Sequence, residues 1–255
     1  RHRDDLEAMV RARTSAMSRL NGQLMREIMD RKRAEIKLQQ TVDQLARSLD
    51  ETINVISSTV EVRDPYTAGH QQRVTEIAVA VAQEMGLPEE QVKGLQMAGR
   101  IHDIGKISIP SEILCKPGRL NQAEIQLIRR HPDVGYDILR KIDFPWPVAL
   151  AVQQHHEKMN GSGYPRGLSG GDILMEARIL SVADVVESIS SHRPYRPGLG
   201  IETALEEIAE HRSVLYDPDA VDACLRIFRE KGFGERLFAS QNPVWPFDAV
   251  GSTGA

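Results

Sequence analysis

The chain has 255 residues, of which 41% are hydrophobic and 27% charged, an ordinary balance for a globular protein with a sizeable core. A formal net charge of −4 and a pI near 6.1 exclude a protein that coats DNA or RNA by charge alone, while a compact basic pocket for a small anion stays open. No apolar run approaches the length of a membrane span, and Arg1-His2-Arg3 does not begin a signal peptide; a start without Met suits a piece of a longer chain.

The residues are unevenly spread. All aromatics and prolines lie at or beyond Pro65, and Gly22 is the one glycine before Gly69. Residues 1–62 hold 11 Lys+Arg against 10 Asp+Glu, leaving 21 against 26, a formal charge of −5, for the rest. The uneven composition predicts three parts: a long helix over 1–62, a helical domain over 63–239 and a flexible tail over 240–255.

Nothing breaks a helix from Leu6 to about Val60. Apolar residues step by four and three through Leu6, Val10, Met17, Leu20 and Leu24, then resume as Ile28, Leu38, Val42, Leu45, Leu49 and Ile56. Arg13, Arg31 and Glu35 interrupt the seam, and the step from Leu24 to Ile28 has the form of a stutter. So narrow a stripe predicts pairing with a second copy as a parallel coiled coil; the alternative is a lone helix packed on the next domain.

Past Arg63 the helical period returns. Val74, Ile77, Ala78, Val81, Ala82 and Met85 share a stripe ended by Gly86, and Pro88 opens the next helix, through Val92, Leu95, Met97 and Ile101. Asn121 with Glu124 forms a capping box for a helix running toward His131. A short helix is expected over about 148–155, a glycine-rich loop over 161–171 and a helix over about 176–190. Asp217-Pro218 starts a late helix through Phe228. Without sustained period-two alternation, strands should be few or none. Cys115 and Cys224, far apart, read as two reduced thiols.

Five of the eight histidines stand in an ordered set with carboxylates: His70, His102-Asp103, His131, His155-His156 and Asp184, each on or beside a helix. Asp184 lies in an apolar helix, where a carboxylate needs a cation or a hydrogen-bonded partner. Imidazole together with carboxylate suits Fe, Mn or Zn rather than Mg or Ca.

The motifs that carry this set are Arg63-Asp64-Pro65-Tyr66-Thr67-Ala68-Gly69-His70, His102-Asp103-Ile104-Gly105-Lys106, His131-Pro132-Asp133-Val134-Gly135, His155-His156-Glu157-Lys158-Met159-Asn160-Gly161-Ser162-Gly163-Tyr164-Pro165 and Arg193-Pro194-Tyr195-Arg196. From about Glu61 to Phe228 the chain resembles the HD-GYP branch of the HD-domain metal-dependent phosphohydrolases, which hydrolyse cyclic di-GMP. The resemblance implies an all-α, HD-type helical bundle behind the long helix. It also implies two divalent transition-metal ions, Fe or Mn first and Zn next, one on His70, His102 and Asp184 and the other on His131, His155 and His156, with Asp103 bridging. Asp103 and Lys106 would be catalytic. Lys106, Tyr164, Glu187, Arg193 and Arg196 would contact the cyclic dinucleotide, with linear pGpG and further GMP as products.

The same likeness implies a cytoplasmic output module, in itself or as the cytoplasmic part of a membrane-anchored sensor, dimeric through its helix. The Gly163-Tyr164-Pro165 loop would offer a surface to diguanylate cyclases. Four positions depart from the family pattern. Tyr66 replaces a Glu that binds a third metal in some members, which argues for two metals here. Asn160, Glu187 and His192 each replace an Asp, and Glu187 puts the base contact in doubt. Two alternatives therefore stay open: an enzyme for another cyclic dinucleotide such as cyclic GMP-AMP, and a non-catalytic nucleotide-sensing or docking module.

Overall fold

The computed structural model describes residues 2–63, 69–116, 118–191 and 198–238. The fold is all-α, as expected, and among the described residues β-pairing is confined to isolated bridges between Asn160 and Ser169 and between Arg212 and Tyr216. The chain divides into two units, Arg1–Thr52 and Ile53–Ala255.

Helix α1 runs His2–Arg63, unbroken as its lack of proline and near-lack of glycine demand. Within the first unit its apolar stripe is exposed, with Leu6, Leu20, Leu38 and Leu45 all more than half accessible. Arg31 and Glu35, the charges that interrupt the seam, lie one turn apart and pair at 3.4 Å. Such an exposed pair adds only a few tenths of a kcal/mol.

The second unit takes in the end of α1 and the helices α2 (His70–Glu84), α3 (Glu89–Ile101), α4 (Ser111–Leu114), α5 (Gln122–Ile128), α6 (His131–Leu139), α7 (Val148–Gln154), α8 (Met175–Ser190), α9 (Ile201–Glu210), α10 (Pro218–Arg229) and α11 (Phe233–Phe238). Helix α2 lies at the centre, against α3, α8 and α10. Its stripe of Val74, Ile77, Ala78 and Val81 is fully buried and meets Ile179, Leu180, Val182, Ala183 and Val186 of α8 within one core. Each fully buried Ile, Leu or Val contributes roughly 1.5–3 kcal/mol.

Local signals account for the helix starts. Asn121 accepts from Glu124 N at 2.9 Å while Glu124 accepts from Asn121 N at 2.8 Å, the expected capping box. Asp217 accepts from the backbone of Asp219 and Ala220 ahead of α10. One boundary differs from expectation: α5 stops at Ile128, and His131 opens the separate helix α6. Pro132, at the start of α6, lacks an N–H and disfavours helix in the residue before it, so no helix continues through this point.

The end of α1 is tied to two neighbours. Glu61 accepts from the backbone N–H groups of Gly69 (3.1 Å) and Gln71 (3.3 Å) at the start of α2, and Ser57 donates to the Gln71 side chain. Arg63 donates to the carbonyls of Ile107 and Ile109, the latter at 3.2 Å, in and just after the 3-10 turn Ile104–Ser108.

Candidate metal centre

Three of the five histidines are placed by one device. A helix C-terminus leaves carbonyls without intrahelical donors. His102 and His155 cap α3 and α7, and His131 stands three residues beyond the last residue of α5. Each turns Nδ1 back to the carbonyl three residues earlier: Gly99 at 2.7 Å, Ile128 at 2.7 Å and Val152 at 2.6 Å. A carbonyl only accepts, so in the neutral ring the proton sits on Nδ1 and the lone pair on Nε2 is left to face the interior. His70 opens α2, where no such carbonyl exists; its Nδ1 donates instead to Glu187 of α8.

Glycine sets the spacing around these rings. A Cβ on Gly105 would stand 1.9 Å from the His131 carbonyl oxygen and 2.7 Å from Gly135 N, so the turn carrying Asp103 and Lys106 reaches α6 only because that atom is missing. Gly163 serves likewise: its Cβ would fall 2.5 Å from the His156 carbonyl oxygen and 2.4 Å from Lys158 N. The glycine loop thus closes on its own His-His-Glu segment. Glu157, 2% exposed, holds it there by accepting from Arg166 N (2.7 Å) and Leu168 N (3.0 Å).

Three overlapping groups bring ligand-type atoms within 4.8 Å of one another: His70, His102 and Asp184; His131, His155 and His156; and His102, Asp103 and His155. Asp103 lies between the first two, with Oδ1 3.4 Å from His131 Nε2 and Oδ2 3.6 Å from His102 Nε2 and 3.9 Å from His70 Nε2. Asp184 Oδ1 is 3.3 Å from His70 Nε2, and its Oδ2 is 4.0 Å from His156 Nδ1. These groups could bind metal. The fit is marked by His102 Nε2, which is buried and has no hydrogen-bond partner among the described residues. A buried lone pair without a donor is costly, and a cation is the partner such a cluster of acceptors lacks.

Burial and mutual repulsion keep the second group neutral. Burial, then the neighbouring His102 and His131, pushes His155 down to about 3; burial, against the pull of Asp103 and aided by Lys106, brings His131 to about 4, and His156 falls well below its usual range. Burial pushes the carboxyls of Asp103 and Asp184 upward, but the facing Lys106 and histidines outweigh it and hold both well below the usual range. His70 is opposite in sign: burial lowers it, yet its bonds to Asp184 and Glu187 prevail and raise it to about 9. Apart from His70, which at neutral pH carries a proton that a metal must displace, the cluster presents ionised carboxylates and free imidazole lone pairs, the donor set of a transition-metal site.

Lys106 reaches Asp103 Oδ2 at 2.7 Å and is 17% exposed, at the edge of the cluster. Tyr164 stacks on His156, ring centroids 4.7 Å apart and planes at 30°. Glu187 is elsewhere than a base contact requires. It is 1% exposed and spent on His70, on Arg73 Nε at 2.7 Å and on Ser191 Oγ at 2.7 Å, so it faces α2 rather than the open side. Arg193, Arg196, Tyr66 and His192 lie outside the described residues. Asn160 keeps a loop role, accepting from Ser162 N at 3.0 Å. Sequence reasoning missed Arg129, exposed, with its guanidinium 5.2 Å from the centre of the Tyr164 ring. Its position two residues before His131 was the available signal.

A family model described as "HD domain" matches residues 22–220. The chain belongs to the HD-domain family. The response regulator RpfG of Xanthomonas campestris, named a cyclic di-GMP phosphodiesterase, is 39% identical over 194 residues, 75% of this chain and 51% of that protein. A 3′3′-cGAMP-specific phosphodiesterase 3 of Vibrio cholerae is 34% identical over 171 residues, 67% of this chain and 37% of that protein. Among solved structures, Bd1817, an HDG"Y"P protein from Bdellovibrio bacteriovorus, aligns with a TM-score of 0.52 at 20% identity over 62% of this chain and 51% of that one, a likeness of fold. The relatives bear out the HD-GYP resemblance of the motifs, and the chain spans about half the length of RpfG.

Proposed function

We propose that this chain is a metal-dependent phosphodiesterase module that hydrolyses cyclic di-GMP to linear pGpG, with GMP as a further product. The observation that carries the reading is the convergence of His70, His102, Asp184, His131, His155 and His156 about the Asp103 carboxylate, with the His102 lone pair unmatched among the described residues. In this reading His70, His102 and Asp184 hold one divalent ion, His131, His155 and His156 hold the other, and Asp103 bridges. Fe or Mn suits this set of imidazoles and carboxylates first, and Zn next. Bound ions supply an activated water at neutral pH and stabilise charge on the phosphoryl group.

The chain's own residues would do the remaining work. Lys106 stands at the rim with its ammonium against Asp103, placed to meet a phosphate oxygen. Tyr164, stacked on His156 with Arg129 over its ring, would stand beside the nucleotide with its hydroxyl, and Arg129 adds a cation for a phosphate. Arg193 and Arg196 stay in the reading as phosphate contacts on their motif alone. The exposed stripe of α1 supports parallel pairing with a second copy; contact of the Gly163-Tyr164-Pro165 loop with diguanylate cyclases stays in the reading on its motif alone.

Anaerobic purification, metal analysis and chromatography of products from cyclic di-GMP test this together. Two metals per chain and a linear dinucleotide are expected; a protein that takes up no metal and yields no product under those conditions is a receptor instead. The mixed guanine–adenine cyclic dinucleotide is the second substrate to try, because a relative at 34% identity is named specific for it. If it alone is cut, the assignment of cyclic di-GMP falls.

A further inference from the structure

His70 differs from the other histidines in what stands behind it. His102, His131 and His155 each rest Nδ1 on a backbone carbonyl, a neutral acceptor left over at a helix end. His70 begins a helix, where the unpaired backbone groups are donors, so its ring can find no such acceptor. Glu187, delivered from α8 across 117 positions of sequence, takes that place with a carboxylate. The carboxylate is itself held: Arg73 Nε and Ser191 Oγ both donate to Oε1, each at 2.7 Å, leaving Oε2 for His70. Arg73 lies on α2 three residues beyond His70, so Glu187 is clamped between two side chains of neighbouring turns.

We infer that Glu187 is a positioning residue for His70, one that aims Nε2 at the His70–His102–Asp184 cluster and makes that cluster's metal position the more strongly donating of the two. The inference rests on the metal-site reading above and changes the part assigned to Glu187, from a contact with the substrate to a support behind a ligand. The chemistry is general. An imidazole whose far N–H is held by a carboxylate is fixed in tautomer and orientation, and is a more basic ligand than one held by a carbonyl. The side chain cannot serve the substrate as well, since both oxygens are occupied and it is 1% exposed. The two positions are thus unequal: one has a carboxylate behind a histidine, and the histidines with assigned Nδ1 partners in the other, His131 and His155, have carbonyls.

The test is titration of the metal-free full chain with Mn2+ under nitrogen, following free Mn2+ by its electron paramagnetic resonance signal. Wild type should bind two equivalents, and His70→Ala marks which step belongs to the His70 cluster. Glu187→Gln, nearly isosteric, keeps an acceptor and removes the charge; Glu187→Ala removes both. The first should weaken the His70-dependent step about tenfold and the second roughly 10- to 100-fold, with the other step unchanged. Circular-dichroism melts confirm that each variant is folded at the assay temperature, and if Glu187→Ala is not, Glu187→Gln decides. Both steps unchanged within twofold, even with turnover reduced, would make Glu187 a substrate contact and overturn the inference. Equal weakening of both steps overturns it too. A wild-type chain that binds no Mn2+ sinks the metal-site reading itself, and this inference with it.

Discussion

Nε2 of His131 and Nε2 of His155 face each other at 3.4 Å, and each is the unprotonated nitrogen of its ring because Nδ1 is committed to a carbonyl. Two lone pairs at this distance repel, and a proton or a metal ion between them relieves it. Burial has made the proton expensive, since the rings are held down to about 4 and about 3.

The first prediction concerns the metal-free protein across pH. His131, His155 and His156 are depressed below 6.5, so from about pH 6.5 down to 4 the unfolded chain binds more protons than the folded one, and stability falls as pH falls. Glu187, which burial pushes up but His70 and Arg73 draw down to about 2, adds to the acid loss below about 4.5. His70 has the opposite sign: raised to about 9, it contributes stability that is full below 6.5 and is lost as pH rises toward 9. Thermal melts of the metal-free chain should therefore peak near pH 6.5 and decline by pH 8 and by pH 5. A melting temperature flat between 5 and 8 would contradict the charge states assigned to these rings.

Lys106→Met should separate binding of metal from use of it. The ammonium touches Asp103 from the rim rather than from among the imidazoles, so metal content should hold. Losing a fixed positive charge beside the phosphate should lower kcat/KM for cyclic di-GMP roughly 10²-fold. Metal analysis beside initial rates gives both readings; loss of metal together with activity would make Lys106 structural.

Gly105→Ala is the sharpest steric test. The added methyl would meet backbone atoms of His131 and Gly135, which cannot swing aside as a side chain can. A cost of about 2–3 kcal/mol and a drop in Tm of about 5–10 °C are expected, with loss of metal. A variant that melts like wild type would mean the turn and α6 are not so close in solution.

Arg129→Ala should raise KM and leave kcat nearly unchanged, because the guanidinium stands over the Tyr164 ring and is not one of the clustered ligand groups. A threefold to tenfold rise corresponds to about 1 kcal/mol, the scale of a partly exposed cation–π and phosphate contact. Arg129→Lys should recover part of it. An unchanged KM in steady-state assays would remove Arg129 from the substrate's path.

What was legible in the sequence follows from what is local. The caps at Asn121 and Asp217, the unbroken α1 and the buried stripes of α2 and α3 are each written within a few neighbouring residues, and they appear as read. The histidine and aspartate set was legible through motifs whose spacing is itself the pattern, and the structure gathers all seven residues. The partners of Glu187 were not legible for a geometric reason: His70 and Arg73 lie more than a hundred positions away and meet it only once α8 has packed on α2. Arg129 and Glu157 were silent for a similar cause, since their partners, Tyr164 and the backbone at 166 and 168, meet them only once the loop has closed.

The last two turns of α1 behave as a key with teeth on two sides. Ser57 and Glu61, four residues apart on one face, grip the start of α2 beside His70, while Arg63, nearly opposite to Glu61, grips the segment that follows Asp103. Three side chains of one helix end thus join the residues beside His70 to those that follow Asp103, so two segments carrying candidate ligands share a single support.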